Sequence, residues 1–192
     1  MKKVLILLFL LLTFDLTAQI KKPKNLTREE QYCKVNQEQG GFFGVKACVL
    51  DEIQKPIKST EAKGVCIFFP KDFYIEKTNG NKYAKGYVEN NSTENIKISR
   101  LDSTIDFVQE YFLINGIWIS GQKNEKSSCG NSYFEMVLNT MSKIEFQLSI
   151  SDLIYGNIKI PFKINVTIGG KVFESNVIEV NLFKNQINNL IK

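Results

Sequence analysis

Three carboxylates, Asp102, Asp106 and Glu110, recur at four-residue intervals in the middle of this chain. Paired carboxylates can hydrolyse glycosides without a histidine, and the sequence contains no histidine at all. That absence excludes Ser-His-Asp and Cys-His triads, imidazole metal ligands and the usual proton carrier near neutral pH. No GxGxxG, P-loop or EF-hand loop is present, and Ser59 to Lys63 has the wrong spacing for a Ser-Lys nucleophile. On a strand, Asp102, Asp106 and Glu110 would share one face. The reading favoured here is a row of solvent-facing charges opposite the core, with hydrolysis as its alternative.

The second reactive set is Cys33, Cys48, Cys66 and Cys129. An even number of cysteines in an exported chain reads as two disulfides. Three pairings are open; Cys33–Cys48 with Cys66–Cys129 is preferred, a local loop plus a tie from the N-terminal part to the main domain. Neither CxxC nor histidine supports zinc, and no cofactor or metal is implied. For binding, Phe42 and Phe43, set between Gly40-Gly41 and Gly44, are the candidate exposed anchors, with burial under the N-terminal loop as the alternative. Tyr83, Tyr87 and Tyr111 read as a cross-strand aromatic group.

These residues must be positioned by strands. From Ile158 to Ile168 apolar residues alternate with Lys159, Pro161, Lys163, Asn165 and Thr167, a period of two that gives one dry and one wet face. Lys159 and Lys163 are expected to be solvated, the alternative being to guard an edge. Gly169-Gly170 then predicts a tight hairpin to Val172–Phe183, whose alternation changes phase and predicts a bulge near Asn176. Asn79-Gly80 and Asn115-Gly116 predict two further hairpins. Leu101 to Phe112 fits a helical stripe, but its β-formers and its run into Asn-Gly favour a strand with Ile105, Phe107, Tyr111 and Leu113 on one side. Further strands are predicted at Tyr133–Leu138 and Ile144–Ile150. Thr27-Arg28-Glu29-Glu30 predicts a short helix through Tyr32. Together the strands read as an antiparallel two-sheet sandwich.

Lys2 and Lys3, the apolar run Val4–Phe14 and the small Ala18 ahead of Gln19 predict a cleaved signal peptide, residues 1–18, with no lipobox cysteine. Its removal takes away Lys2, Lys3 and Asp15 and lowers the net charge from +5 to +4. The charge is nearly all lysine, which reads as a solvated surface, and nucleic acid is not expected as a partner. No later stretch is long enough for a membrane helix. The sequons at Asn25, Asn90, Asn91 and Asn165 would matter only in a eukaryotic secretory pathway.

Gly86-Tyr87-Val88-Glu89-Asn90-Asn91-Ser92, Asp102-Ser103-Thr104-Ile105, Gly116-Ile117-Trp118, Cys129-Gly130-Asn131-Ser132-Tyr133-Phe134 and Glu174-Ser175-Asn176 follow one another in order. This series resembles uncharacterised secreted Ig-like β-sandwich proteins of the Bacteroidota over about Phe73 to Phe183. The resemblance implies an all-β Ig-like sandwich over residues 65–192, after a short, partly irregular, disulfide-containing extension over 19–64. It also implies that Trp118 packs in the core, and it brings no activity to carry over. The expectation is therefore an exported non-catalytic module, periplasmic or outside the cell, binding a protein or glycan at the envelope. A carboxylate-based glycan hydrolase and a structural part of an envelope assembly are its alternatives.

Overall fold

The computed structural model describes residues 48–57, 63–78, 80–106, 108–121 and 133–191. The chain lays down β1 (Cys48–Pro56), β2 (Gly64–Phe68), β3 (Tyr74–Glu76), β4 (Lys82–Asn91), β5 (Ile96–Leu101) and β6 (Thr104–Ile105), all in one larger sheet. It then crosses to a smaller sheet for β7 (Val108–Ile114) and β8 (Ile117–Ser120). It returns for β9 (Tyr133–Leu138) and β10 (Ser142–Ser149), makes a 3-10 turn at Ser151–Leu153, and crosses again for β11 (Ile158–Ile168), β12 (Lys171–Glu174) and β13 (Ile178–Leu182). A short helix, α1 (Lys184–Leu190), follows. Described residues 48–57, assigned from sequence to the N-terminal extension, supply β1, which lies inside the larger sheet between β10 and β6. The predicted helix at Thr27–Tyr32 lies outside the described residues.

Every described strand pair is antiparallel, and the two sheets share one core. Phe112 on β7 meets Phe162 on β11 with ring centroids 5.1 Å apart, and both are fully buried. Phe146 on β10 lies over Gly86 on β4, where an added Cβ would sit 2.2 Å from its ring. The ring therefore occupies the space that any larger residue at 86 would need.

The long C-terminal strand forms as its alternation requires, and Gly169 and Gly170 both take positive φ (57° and 77°) to close the hairpin. The phase change beyond it is a bulge. β12 and β13 pair with successive parts of β11, and Ser175 bridges the gap by accepting the Ile164 N–H on Oγ (3.0 Å) while its own N–H donates to the Ile164 carbonyl (2.9 Å). Asn176 beside it accepts the Phe69 N–H (2.7 Å) and donates to the Phe69 carbonyl (3.0 Å), fastening the bulge to the larger sheet.

The predicted wet face differs at Lys163. It is only 9 % exposed, with its Nζ 2.6 Å from Glu174 Oε2 and 4.2 Å from the centre of the Trp118 ring. Lys159 is exposed and pairs with Glu179. Trp118 is correspondingly not a core residue. It pairs with Leu113 on the face opposite buried Phe112, because a ring that shields a lysine stays on the outer side of the sheet.

Candidate functional site

The carboxylate row does not exist as a row. The strand reading of Leu101–Phe112 holds, but the chain turns at Asp102, where φ is 51°, and changes sheet between β6 and β7. Asp102 lies in the β5–β6 turn. Glu110 lies on β7 opposite Ile164, fully buried with Phe112 and Ile114 on the core side. The change of sheet reverses the expected parity, so Tyr111 and Leu113 face outward; Phe107 lies outside the described residues. The tyrosine group is divided too, since Tyr83 and Tyr87 are on β4 in the larger sheet and Tyr111 is on β7 in the smaller.

Cys48 and Cys66 are free thiols, and they cannot be bonded to each other. β10 and β4 lie between their strands, a lateral gap of about 14 Å, twice the reach of a disulfide. Cys48 also faces the core, where burial, with the Glu110 carboxylate adding, pushes its thiol far above the usual range. Cys66 lies on the opposite side of its strand from buried Ile67. Cys33, Cys129, Phe42 and Phe43 lie outside the described residues.

A cleft of about 390 Å³ opens where the start of β4 approaches β13. Buried Ile150 and Val180 form its base, and Tyr74 and Tyr155, 47 % and 37 % exposed, stand at its rim. The β3–β4 hairpin brings Tyr74 and Lys82 together, pairing Tyr74 with Ala84 and Glu76 with Lys82. Tyr155 follows the 3-10 turn, which is pinned to the start of β4: the Ile150 N–H donates to the Lys82 carbonyl (3.0 Å) and the Lys82 N–H to Ser151 Oγ (3.2 Å). Gly156 then packs against β13, where a Cβ would lie 1.9 Å from the Leu182 carbonyl carbon, so no other residue fits there. Gln186 of α1 holds the same turn from beneath, donating to the Asp152 carbonyl (2.9 Å) while accepting the Phe183 N–H (2.7 Å).

The polar groups of the cleft form a chain. Tyr74 donates its hydroxyl hydrogen to Glu76 Oε2 (3.3 Å), Glu76 Oε1 lies 3.1 Å from Lys82 Nζ, and Lys82 also donates to the Gly80 carbonyl (3.3 Å). The ammonium sits 5.5 Å from the centre of the Tyr155 ring. Hydrogen bonding to Tyr155, opposed by burial and supported by Glu76, holds Lys82 above the usual lysine range, so it is a cation and not a base or nucleophile. Across the cleft Glu179 pairs with Lys159 at 3.3 Å, and Asn181 reaches the Ile154 carbonyl at 3.5 Å. This arrangement can hold a ligand between rings and fixed polar groups. The sequence reading did not single out Tyr74, Lys82, Tyr155, Glu179 or Asn181. The available signal was local: a tyrosine followed by glycine at a strand junction, and a lysine straight after a hairpin turn.

Among the described residues no group of three His, Cys, Asp or Glu side chains is placed to hold a metal, and no helix is long and apolar enough to cross a membrane. Comparison with protein-family models, with curated proteins and with solved structures returns no match.

Proposed function

We propose that this chain is an exported, non-catalytic binding module of the bacterial envelope or extracellular space, built as an Ig-like sandwich. The observation that carries the reading is the cleft between Tyr74 and Tyr155, with aromatic walls, fixed polar groups and a lysine kept protonated. The scattering of Asp102 and Glu110 over two sheets favours binding over carboxylate hydrolysis. The signal-like residues 1–18 support export, and the repeated crossing between two antiparallel sheets supports the Ig-like assignment.

The test uses the mature chain from Gln19, screened against envelope glycans and peptides for retention and for turnover of the same compounds. Retention that Tyr155→Ala abolishes, with every ligand recovered intact, is the expected result. Cleavage of any of them would replace the module with an enzyme.

A further inference from the structure

Resting on the binding-module reading, we infer that the cleft takes a neutral pyranose of a glycan chain, held between the Tyr74 and Tyr155 rings, and that Lys82 is the positioning residue that fixes both rings. The cleft's Lys82 and Glu179 are each paired, Lys82 with Glu76 and Glu179 with the neighbouring Lys159, so the site offers no surplus charge to an anion or a cation. Lys82 is already engaged by Glu76 and the Gly80 carbonyl and stands against the Tyr155 ring, which disfavours a phosphate or carboxylate there.

The shape and polarity of the cleft also suit a sugar. An aromatic face carries negative charge density and attracts the C–H groups of a sugar ring, and both tyrosines keep substantial ring surface in solvent. A purely apolar ligand would cut the cleft's polar groups, Glu179, Asn181 and the phenol hydroxyls, off from water and offer them no hydrogen bond in exchange. An extended peptide would need a free strand edge. β3 has only three residues, and the Asn181 carbonyl on β13 already accepts the Gly156 N–H at 3.3 Å.

A continuous chain, Tyr74–Glu76–Lys82–Tyr155, ties both walls to one partly exposed cation. Walls fixed before the ligand arrives spare the entropy of ordering them on binding.

The experiment is titration calorimetry on the mature chain with cellotetraose, maltotetraose and N-acetylchitotetraose, and with trigalacturonate and a heparin tetrasaccharide as anionic counterparts. At least one neutral oligosaccharide should bind, with affinity changing less than about twofold between about 50 and about 500 mM NaCl. Tyr155→Ala and Tyr74→Ala should each weaken it about tenfold or more. Lys82→Met should weaken it about fivefold with the melting temperature nearly unchanged, and Lys82→Arg should recover part of the loss. Salt-sensitive binding of an anionic oligosaccharide, or of a peptide, that Tyr155→Ala abolishes would overturn the neutral-sugar inference and leave the binding module standing. Binding to none of these compounds or envelope peptides would overturn both. A Lys82→Met variant that binds as wild type would remove the positioning role.

Discussion

The two ends of strand β4 carry polar sites built to opposite plans. At one end Asn90 is fully buried, its amide donating to the carbonyls of Glu94, Leu138 and Asn139 at 2.8 to 3.2 Å. Its Oδ1 accepts from the N–H and the hydroxyl of Ser92. At the other end, about 27 Å along the strand, Lys82 links Glu76 and Tyr155 beside an open cleft. Both ends satisfy their polar groups. Only one does so around a space. The Asn90 knot ties the loop after β4 to the β9–β10 turn and has no room for anything else, so it serves stability. The Lys82 chain fixes two rings whose faces remain in solvent, so it serves binding.

The largest expected effect breaks the closed end. Asn90→Ala removes the side-chain donor to the Leu138 and Asn139 carbonyls and the acceptor of the Ser92 N–H, and should cost about 3 kcal/mol in urea unfolding. Cleft occupancy measured well below the melting temperature should be unchanged. If Asn90→Ala unfolds at the wild-type urea concentration, the knot is not a stability device and the contrast fails. The same knot makes Asn90 unsuited as a glycan acceptor, since its amide is enclosed.

The fold was legible wherever one local rule decided the outcome. The eleven-residue alternation, the Gly-Gly turn and the slip before Ile178 determine β11, β12 and β13 without reference to distant residues. Legibility failed where a partner from another strand changed the meaning of a residue. Lys163 looks solvated until Trp118 and Glu174 close over it. Glu110 looks like part of an exposed row until the chain changes sheet after β6 and carries it into the core. The cleft was invisible for the same reason, since Tyr74, Tyr155 and Asn181 are far apart in sequence and meet only when β4 and β13 are placed.

An intermediate effect sharpens the contrast through the two described cysteines, which mark the two ends. Cys66 pairs with Glu89, one residue from Asn90, whereas Cys48 pairs with Leu148, itself opposite Ala84 near Lys82. In reduced, folded protein, iodoacetamide should label half-buried Cys66 first. Cys48 should react about a hundredfold more slowly, because its thiol is buried and its pKa raised. Timed labelling read by mass spectrometry decides this, and equal rates would place Cys48 outside the core. The raised pKa also fixes a sign: the buried thiol contributes stability below about pH 8.5, the unfolded value, and that contribution is lost as pH rises towards the folded value.

The smallest effect concerns the exposed charges at the open end. Lys85 hydrogen-bonds Asp72 at 3.2 Å and holds its carboxyl below the usual carboxylate range. A carboxyl lowered in the folded state adds stability above about pH 3.9, and that stability is lost as pH falls through the folded value. Asp72 is fully solvated, so water and salt screen most of the attraction, and Asp72→Asn should shift the melting temperature by no more than about 1 °C at pH 7. Below pH 3 the variant and wild type should converge. The Asn90→Ala defect should persist unchanged across the same range, because an amide does not titrate. Melting curves of both variants from pH 2.5 to 8 separate the two ends: a large pH-dependent loss in Asp72→Asn would mean that the open end, too, is held for stability.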